Sequence, residues 1–320
     1  MMLTRVANSL YWMGRYIERA ENTTRLLNVA NEFSLELENL DERRARAEWN
    51  CVSAGLPTPV PIGDESKPIP ELTLDYFNSY LLDESNPVSV ISSLARAREN
   101  ARSIGETLTR EVQYNLNEAY SQLAAHRKKG VQSALRASDI AAATHRAILT
   151  MLGAIEHTLT RDQGWNYLKV GEAMERTQRT LFVLKAKLPD LQSMDDACDP
   201  ALFFASWTSL LRSLASLENY RQRFGTRFEP DNVLRFMLFD PGTPRAVNCG
   251  VRRMTLYLNG LPSTAHGLKE ATKVLGRLYS KLAYEDNEIM GTGALTAFLD
   301  EALTVLTAAN EYISAPTKPF

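Results

Sequence analysis

Cysteine and histidine are scarce in this 320-residue chain, and neither is spaced for metal or redox chemistry. Cys51, Cys198 and Cys249 are odd in number, far apart and without a Cys-x-x-Cys spacing. That excludes a disulfide framework or a thiolate zinc site and reads as free thiols in a reducing, cytoplasmic compartment. His126, His145, His157 and His266 are preceded three residues earlier by Leu123, Ala142, Ala154 and Ser263. The Glu-x-x-His pairs of a di-metal carboxylate bundle are therefore missing, and no metal site is expected. No run of about 18 apolar residues exists, so no membrane span is expected. The N-terminus has Arg5, Arg15 and Glu18 where a secretory signal would have an apolar core. A net charge of −2 supplies no general drive toward nucleic acid or an anionic membrane. Phosphate-loop, dinucleotide and nucleophile-elbow patterns are also missing, so no cofactor of its own is expected.

What is present is helical periodicity, in a chain that is 44% hydrophobic and 23% charged. Ten helical stretches are expected: Leu3 to about Arg46 (one long helix or two joined), Leu72–Leu82, Val88–Leu123, one from Ser138-Asp139 to His157, and Trp165 to Leu188, ended by Pro189. Then follow Ala201–Arg223, Asn232–Phe239, Val247–Leu258, Gly267–Glu285 and Leu295–Ile313. Pro57, Pro59, Pro61, Pro68 and Pro70, with Gly55 and Gly63, exclude helix between the first two stretches and mark an exposed loop. The expectation is an all-α bundle of roughly ten helices in one helical domain, residues 1–320.

One stretch organises the rest: Tyr11-Trp12-Met13-Gly14-Arg15-Tyr16-Ile17-Glu18-Arg19-Ala20-Glu21-Asn22-Thr23-Thr24-Arg25-Leu26. At about 100° per residue, Leu3, Val6, Leu10, Met13, Ile17, Ala20 and Leu27 fall on an apolar arc. Arg15, Glu18, Glu21, Asn22 and Arg25 gather opposite, and Arg19 projects to the side between Trp12 and Leu26. An adjacent Glu-Arg pair pointing two ways predicts a helix surrounded by partners. The pattern returns: placing Gly14 over Gly171 superposes Glu18 on Glu175, Arg19 on Arg176 and Thr23 on Thr180. A weaker match pairs Glu99-Asn100-x-Arg102 with Glu218-Asn219-x-Arg221. Glu99 follows Glu18 by 81 residues and Glu218 follows Glu175 by 43, a difference of 38. Two repeated halves, about 1–157 and 158–320, with a Pro-rich loop inserted at about 51–93 of the first, account for that arithmetic.

The charged clusters admit two main readings. Buried Arg–carboxylate pairs are directional and can fix which helices are neighbours, provided the network is nearly complete. Alternatively they line a polar cavity for an anionic ligand. Its candidate residues are Arg15, Glu18 and Arg25, then Glu99, Asn100 and Arg102, then Glu175 and Arg179, with Glu218, Tyr220 and Arg221. Arg19 and Arg176 are expected to be structural braces. In Asp240-Pro241-Gly242-Thr243-Pro244-Arg245 two prolines hold a rigid turn, Asp240 is placed to cap amides, and Arg245 is a further candidate contact, with Arg223 upstream as another donor. Cys249, near Arg245 and Arg252-Arg253, is more simply a packed thiol than a nucleophile. No catalytic residue is assigned.

Ser9-Leu10-Tyr11-Trp12-Met13-Gly14-Arg15-Tyr16-Ile17-Glu18-Arg19-Ala20-Glu21-Asn22 resembles the signature of the alpha-E proteins, a bacterial helical family named for its Glu-Arg motif. Ala97-Arg98-Glu99-Asn100-Ala101-Arg102, Gly171-x-x-x-Glu175-Arg176 and Asp240-Pro241-x-x-Pro244-Arg245 are similar to its other recurrent stretches. The resemblance implies a context. Alpha-E proteins are typically encoded with, or fused to, a circularly permuted ATP-grasp protein, and often a transglutaminase-like peptidase. It thus implies a partner subunit of an amide or peptide ligase system, with ATP and Mg²⁺ held by the ligase. The alternatives are an enzyme using Glu18 or Glu175 as acid/base on a peptide-like substrate, and a scaffold recruiting partners through the Pro-rich loop.

Overall fold

Short polar residues and prolines set most of the helix starts, as the local chemistry of caps requires. In the computed structural model, residues 3–37, 41–55, 67–127, 130–194, 199–262, 266–290 and 293–314 are described, and all regular elements among them are helical. In chain order these are α1 (Thr4–Leu37), α2 (Glu42–Ala54), α3 (Ile69–Phe77) running into a π-helical turn (Asn78–Leu82), α4 (Val90–Ser103), a 3-10 turn (Gly105–Thr107), α5 (Arg110–Arg127) and α6 (Ala134–Thr158). They continue as α7 (Gln163–Gln192), α8 (Pro200–Ser213), α9 (Leu217–Phe224), α10 (Pro230–Phe239), α11 (Val247–Asn259), α12 (His266–Tyr284), α13 (Asp286–Ile289) and α14 (Ala294–Ser314). Asp41, Ser89, Ser133, Asp162 and Asp199 each cap a helix by accepting from a backbone N–H of its first turn.

Most of the excess over ten helices arises where an expected long helix breaks. Val88–Leu123 divides at the 3-10 turn into α4 and α5. Ala201–Arg223 divides because Ala215 adopts a left-handed φ of 47°. There Ser216 N donates to Leu211 O (2.8 Å) and Ala215 N to Arg212 O (3.0 Å), the paired bonds of a Schellman stop built without glycine. Two boundaries also move. α6 begins before Ser138 because Ser133 caps it, and α7 passes Pro189 into one more turn, with Pro189 O still accepting from Ser193 N at 3.1 Å.

The chain divides into two compact units, residues 12–160, and residues 1–11 with 161–320. Their helices follow one plan. α1 and α7 lead, then α2 and α8, α3 with its π turn and α10, α4 and α11, α5 and α12, α6 and α14. The 157-residue step that takes Gly14 to Gly171 also takes Leu82 to Phe239, Asp83 to Asp240, Pro87 to Pro244 and Val90 to Val247. The loops before α4 and α11 share their bonding. Asp83 Oδ1 accepts from Ser85 N and Asp240 Oδ1 from Gly242 N, both at 2.8 Å, and Ser89 N and Ala246 N each reach back three residues, at 3.1 and 3.0 Å.

The constant step corrects the weaker sequence match. Glu99 lies on α4, whose counterpart is α11, whereas Glu218 lies on α9. The difference of 38 residues came from pairing unlike helices, so it gives no support for an insertion. Of the expected loop 51–93, residues 56–66 lie outside the described residues; the remainder includes the end of α2, all of α3, the π turn and the start of α4.

Within the first unit α5 packs on α4 and α6; within the second α12 packs on α11 and α14. Trp49 is wholly buried, donating to Ser34 Oγ at 3.0 Å and packing 5.1 Å from the Tyr76 ring and edge-on against Phe77. α7 lies along α11, and the two helices approach closely at Gly250. A Cβ there would sit 1.9 Å from Thr177 Oγ1, a hydroxyl that donates to Ala173 O at 2.8 Å. Gly250→Ala is therefore expected to destabilise the protein by about 1–3 kcal/mol. Most of that loss should vanish when the same change is made in a Thr177→Ala background; equal losses in both backgrounds, measured by chemical denaturation, would refute the close approach.

Candidate functional site

The polar side chains of α1 and α7 run through the buried middle of each helix. Of residues 10 to 31 on α1, only Trp12, Tyr16 and Asn28 escape full burial. Glu18 is 0% exposed, so its carboxylate needs donors close by. Asn22, one turn on, supplies one: its Nδ2 lies 2.9 Å from Glu18 Oε1 and 2.7 Å from the Glu18 carbonyl. Asn22 Oδ1 accepts from Arg25 Nη2 at 2.7 Å, and the same nitrogen lies 2.8 Å from Glu21 Oε2. The other Glu21 oxygen meets His145 Nε2 of α6 at 3.0 Å. The result is a ladder, Glu18–Asn22–Arg25–Glu21–His145. Beside it lies an aromatic–cation cluster. The Arg15 guanidinium is 5.2 Å from the Trp12 ring centroid, and Arg19 and Arg96 lie 5.5 and 5.8 Å from that of Tyr16.

α7 repeats the glutamate but changes the rest. Glu175 is buried, and Arg179, at the position equivalent to Asn22, places Nε and Nη2 each 3.2 Å from Glu175 Oε1. One turn before, Glu172 bridges two cations, with Lys169 Nζ at 2.5 Å and Arg176 Nη2 at 2.7 Å. Lys169 also lies 5.2 Å from the Trp165 ring centroid, and Arg161 5.1 Å from the same ring. Thr180 Oγ1 ties α7 to the loop before α11 by donating to Arg245 O at 2.8 Å.

That loop is built on Asp240. Its Oδ1 accepts from Gly242 N (2.8 Å) and Thr243 N (2.7 Å), and its Oδ2 is paired with Arg223 of α9. The flanking Tyr220 is wholly buried among the rings of Phe224, Phe228 and Phe236, at 4.9, 5.5 and 5.7 Å, and its hydroxyl donates to Arg227 O at 3.4 Å. Burial pushes the Tyr220 phenol above its usual pKa; a backbone hydrogen bond at Glu229 opposes that and the Glu229 charge adds to it. Burial raises Tyr167 in the same direction.

The structure therefore sorts the candidates. It joins Glu18 and Arg25 in one unit's ladder, with Arg15 buried beside them, and Glu175 with Arg179 in the other unit, where Asp240 and Arg245 are also buried. Glu99 and Arg102 stand exposed on α4 because Ala97 and Ala101 occupy its inward face, and Asn100 is half-buried, bonding Arg96 O at 3.1 Å. Glu218 is exposed and reaches Arg221 only at 3.4 Å. Of the two expected braces, Arg19 stacks on Tyr16 and Arg176 is bonded to Glu172. The candidate set omitted Lys169, Glu172, Glu21, Asn22 and His145. The first four carry a readable signal, opposite charges or donor–acceptor types three and four residues apart on one helix. His145 carries none. No group of three or more His, Cys, Asp or Glu side chains among the described residues is placed to hold a metal ion.

Removing the bridging carboxylate by Glu172→Ala leaves the buried Lys169 and the half-buried Arg176 without their shared counter-charge. Denaturation should show a loss of about 3–5 kcal/mol, against no more than about 0.5 kcal/mol for Glu218→Ala at its exposed pair. A raised folded-state pKa for Tyr220 favours the protonated phenol in the native state. Its contribution is thus complete below about pH 10, the unfolded value, and is lost as pH rises through the folded value. Tyr220→Phe should flatten the decline of stability above that pH, and an unchanged alkaline slope would remove Tyr220 as its source.

Comparison with known proteins places this geometry. An uncharacterized protein of Mycobacterium bovis and two of Mycobacterium tuberculosis are each 25% identical to the chain over 324 residues. Each match covers 95% of this chain, and the chain spans about a third of those relatives' length, 35%. No solved structure matches. The Alpha-E family, described as "a predicted alpha-helical domain with a conserved ER motif", matches residues 2–316. The Glu-Arg pairs at 18–19 and 175–176 lie within that match, in the middle of the two buried helices, and the chain belongs to the alpha-E family.

Proposed function

We propose that this chain is a partner subunit of an ATP-grasp amide or peptide ligase system. It docks on the ligase and shapes the site where amine and carboxylate meet, while the ligase holds ATP and Mg²⁺. A transglutaminase-like protein is a second partner of the same system. The observation that carries the reading is the length of the relatives: nearly two thirds of each is further polypeptide joined to a region like this chain. Covalent joining keeps a domain at high effective concentration beside the rest of its chain, which is the arrangement a docking subunit needs. Cytoplasmic placement belongs to the same proposal; among the described residues no helix is long and apolar enough to cross a membrane.

The competing reading, an enzyme with Glu18 or Glu175 as acid/base, meets a physical obstacle. Both carboxylates are at most 1% exposed and accept from a donor on their own helix, whereas a general acid or base must reach the proton it moves. Co-expression with an ATP-grasp ligase of the same genome separates the two. Docking predicts co-elution of the two chains and faster ligation by the complex than by the ligase alone. A fully active lone ligase with no measurable complex would overturn it, and turnover of a peptide by the purified chain, abolished in Glu18→Gln at unchanged melting temperature, would establish the enzyme instead.

A further inference from the structure

One surface feature lies outside the buried ladders. α9, α10 and the loop before α11 enclose an open hollow, lined by Asn219, Gln222, Arg223, Phe236, Thr243 and Pro244, with Gly242 at its edge. Arg223 is held there on two sides. Its Nη1 is paired with Asp240, a carboxylate that is 8% exposed and itself fixed by the Gly242 and Thr243 amides, and its guanidinium carbon lies 5.7 Å from the Phe224 ring centroid. The side chain is nonetheless 58% exposed, so it is open to solvent beyond its pairing with Asp240. Asn219 and Gln222, three residues apart on α9, line the same space. Among the described residues neither has a side-chain hydrogen-bond partner, and Phe236 and Pro244 supply an apolar wall.

We infer that this hollow binds the carboxylate end of an extended peptide. A guanidinium with one edge engaged keeps a second edge suited to a planar carboxylate. A primary carboxamide offers one donor and one acceptor side by side, the complement of a peptide group, and two of them one helical turn apart suit successive groups of an extended chain. The ring and the proline accept an apolar side chain. Asp240 offsets the charge of Arg223 while Arg252, bonded to Pro241 O at 3.3 Å in the same loop, adds positive charge nearby, so discrimination against a compact inorganic anion rests on the planar fork together with the amides. The site stands on the geometry of this unit alone and is independent of docking on a ligase.

The test is an NMR titration of the full chain, following the side-chain amide signals of Asn219 and Gln222. The probes are N-acetyl-alanyl-alanine, its C-terminal amide and inorganic phosphate. The acid should shift both signals, with affinity at least tenfold above that of the amide or of phosphate. Arg223→Gln, a change at an exposed side chain, should weaken the acid at least tenfold. Asn219→Ala should weaken it while leaving the Gln222 signal as reporter. No shift with the acid, equal responses to acid and amide, a stronger response to phosphate, or undiminished binding in Arg223→Gln would each overturn the assignment.

Discussion

A carboxylate taken out of water must take its hydrogen-bond donors with it, and α1 and α7 are organised by that requirement. The effective penalty for burying an unpaired ion is several kcal/mol, comparable to the whole stability of many domains. Glu18 and Glu175 meet it with donors one helical turn away, and Glu172 does so with two cations on its own helix. Such helices need shielding on every side, since a half-wet ladder would exchange its fixed partners for water. The surrounding helices supply apolar cover, and the polar stripe tells them in which rotational setting to supply it.

The two units show how much of this arrangement is backbone and how much is side-chain choice. The order of helices, the 157-residue step and the hydrogen bonds of the Asp83 and Asp240 loops repeat closely. The interactions around the repeated glutamates do not. Where one unit stacks guanidinium groups on Trp12 and Tyr16, the other bridges Lys169 and Arg176 through Glu172. Asn22 and Arg179 stand at equivalent positions and perform the same donation with different charge. The shared element is thus a buried glutamate with a donor at i+4, and the Glu-Arg pair alone does not describe it.

The helices were legible in the sequence because their apolar period is strong, and Pro, Gly and Asp mark their ends. The buried character of the leading helix was legible too, from Arg19 pointing away from Glu18. Four features were not. The break at Ala215 has no sequence signal, since alanine is the best helix former and takes the left-handed conformation only because the turn demands it. The relation of α4 to α11 was obscured because Glu99-Asn100 and Glu218-Asn219 look alike while lying on unlike helices. The outward direction of Glu99 and Arg102 follows from Ala97 and Ala101, small residues whose burial is visible only once α4 is packed. The Glu21–His145 contact joins residues 124 apart, and separation of that kind is invisible to any local pattern.

The ladder contacts on α1 and α7 mostly span three or four residues, and that locality has a kinetic meaning. A contact across one helical turn forms with the helix itself, on the microsecond scale of helix growth, long before segments far apart in the chain meet. The glutamates of these helices therefore reach the interior with a donor from their own helix already in place. Water is withdrawn from carboxylates that already hold a protein donor, and no bare ion has to be dehydrated along the way.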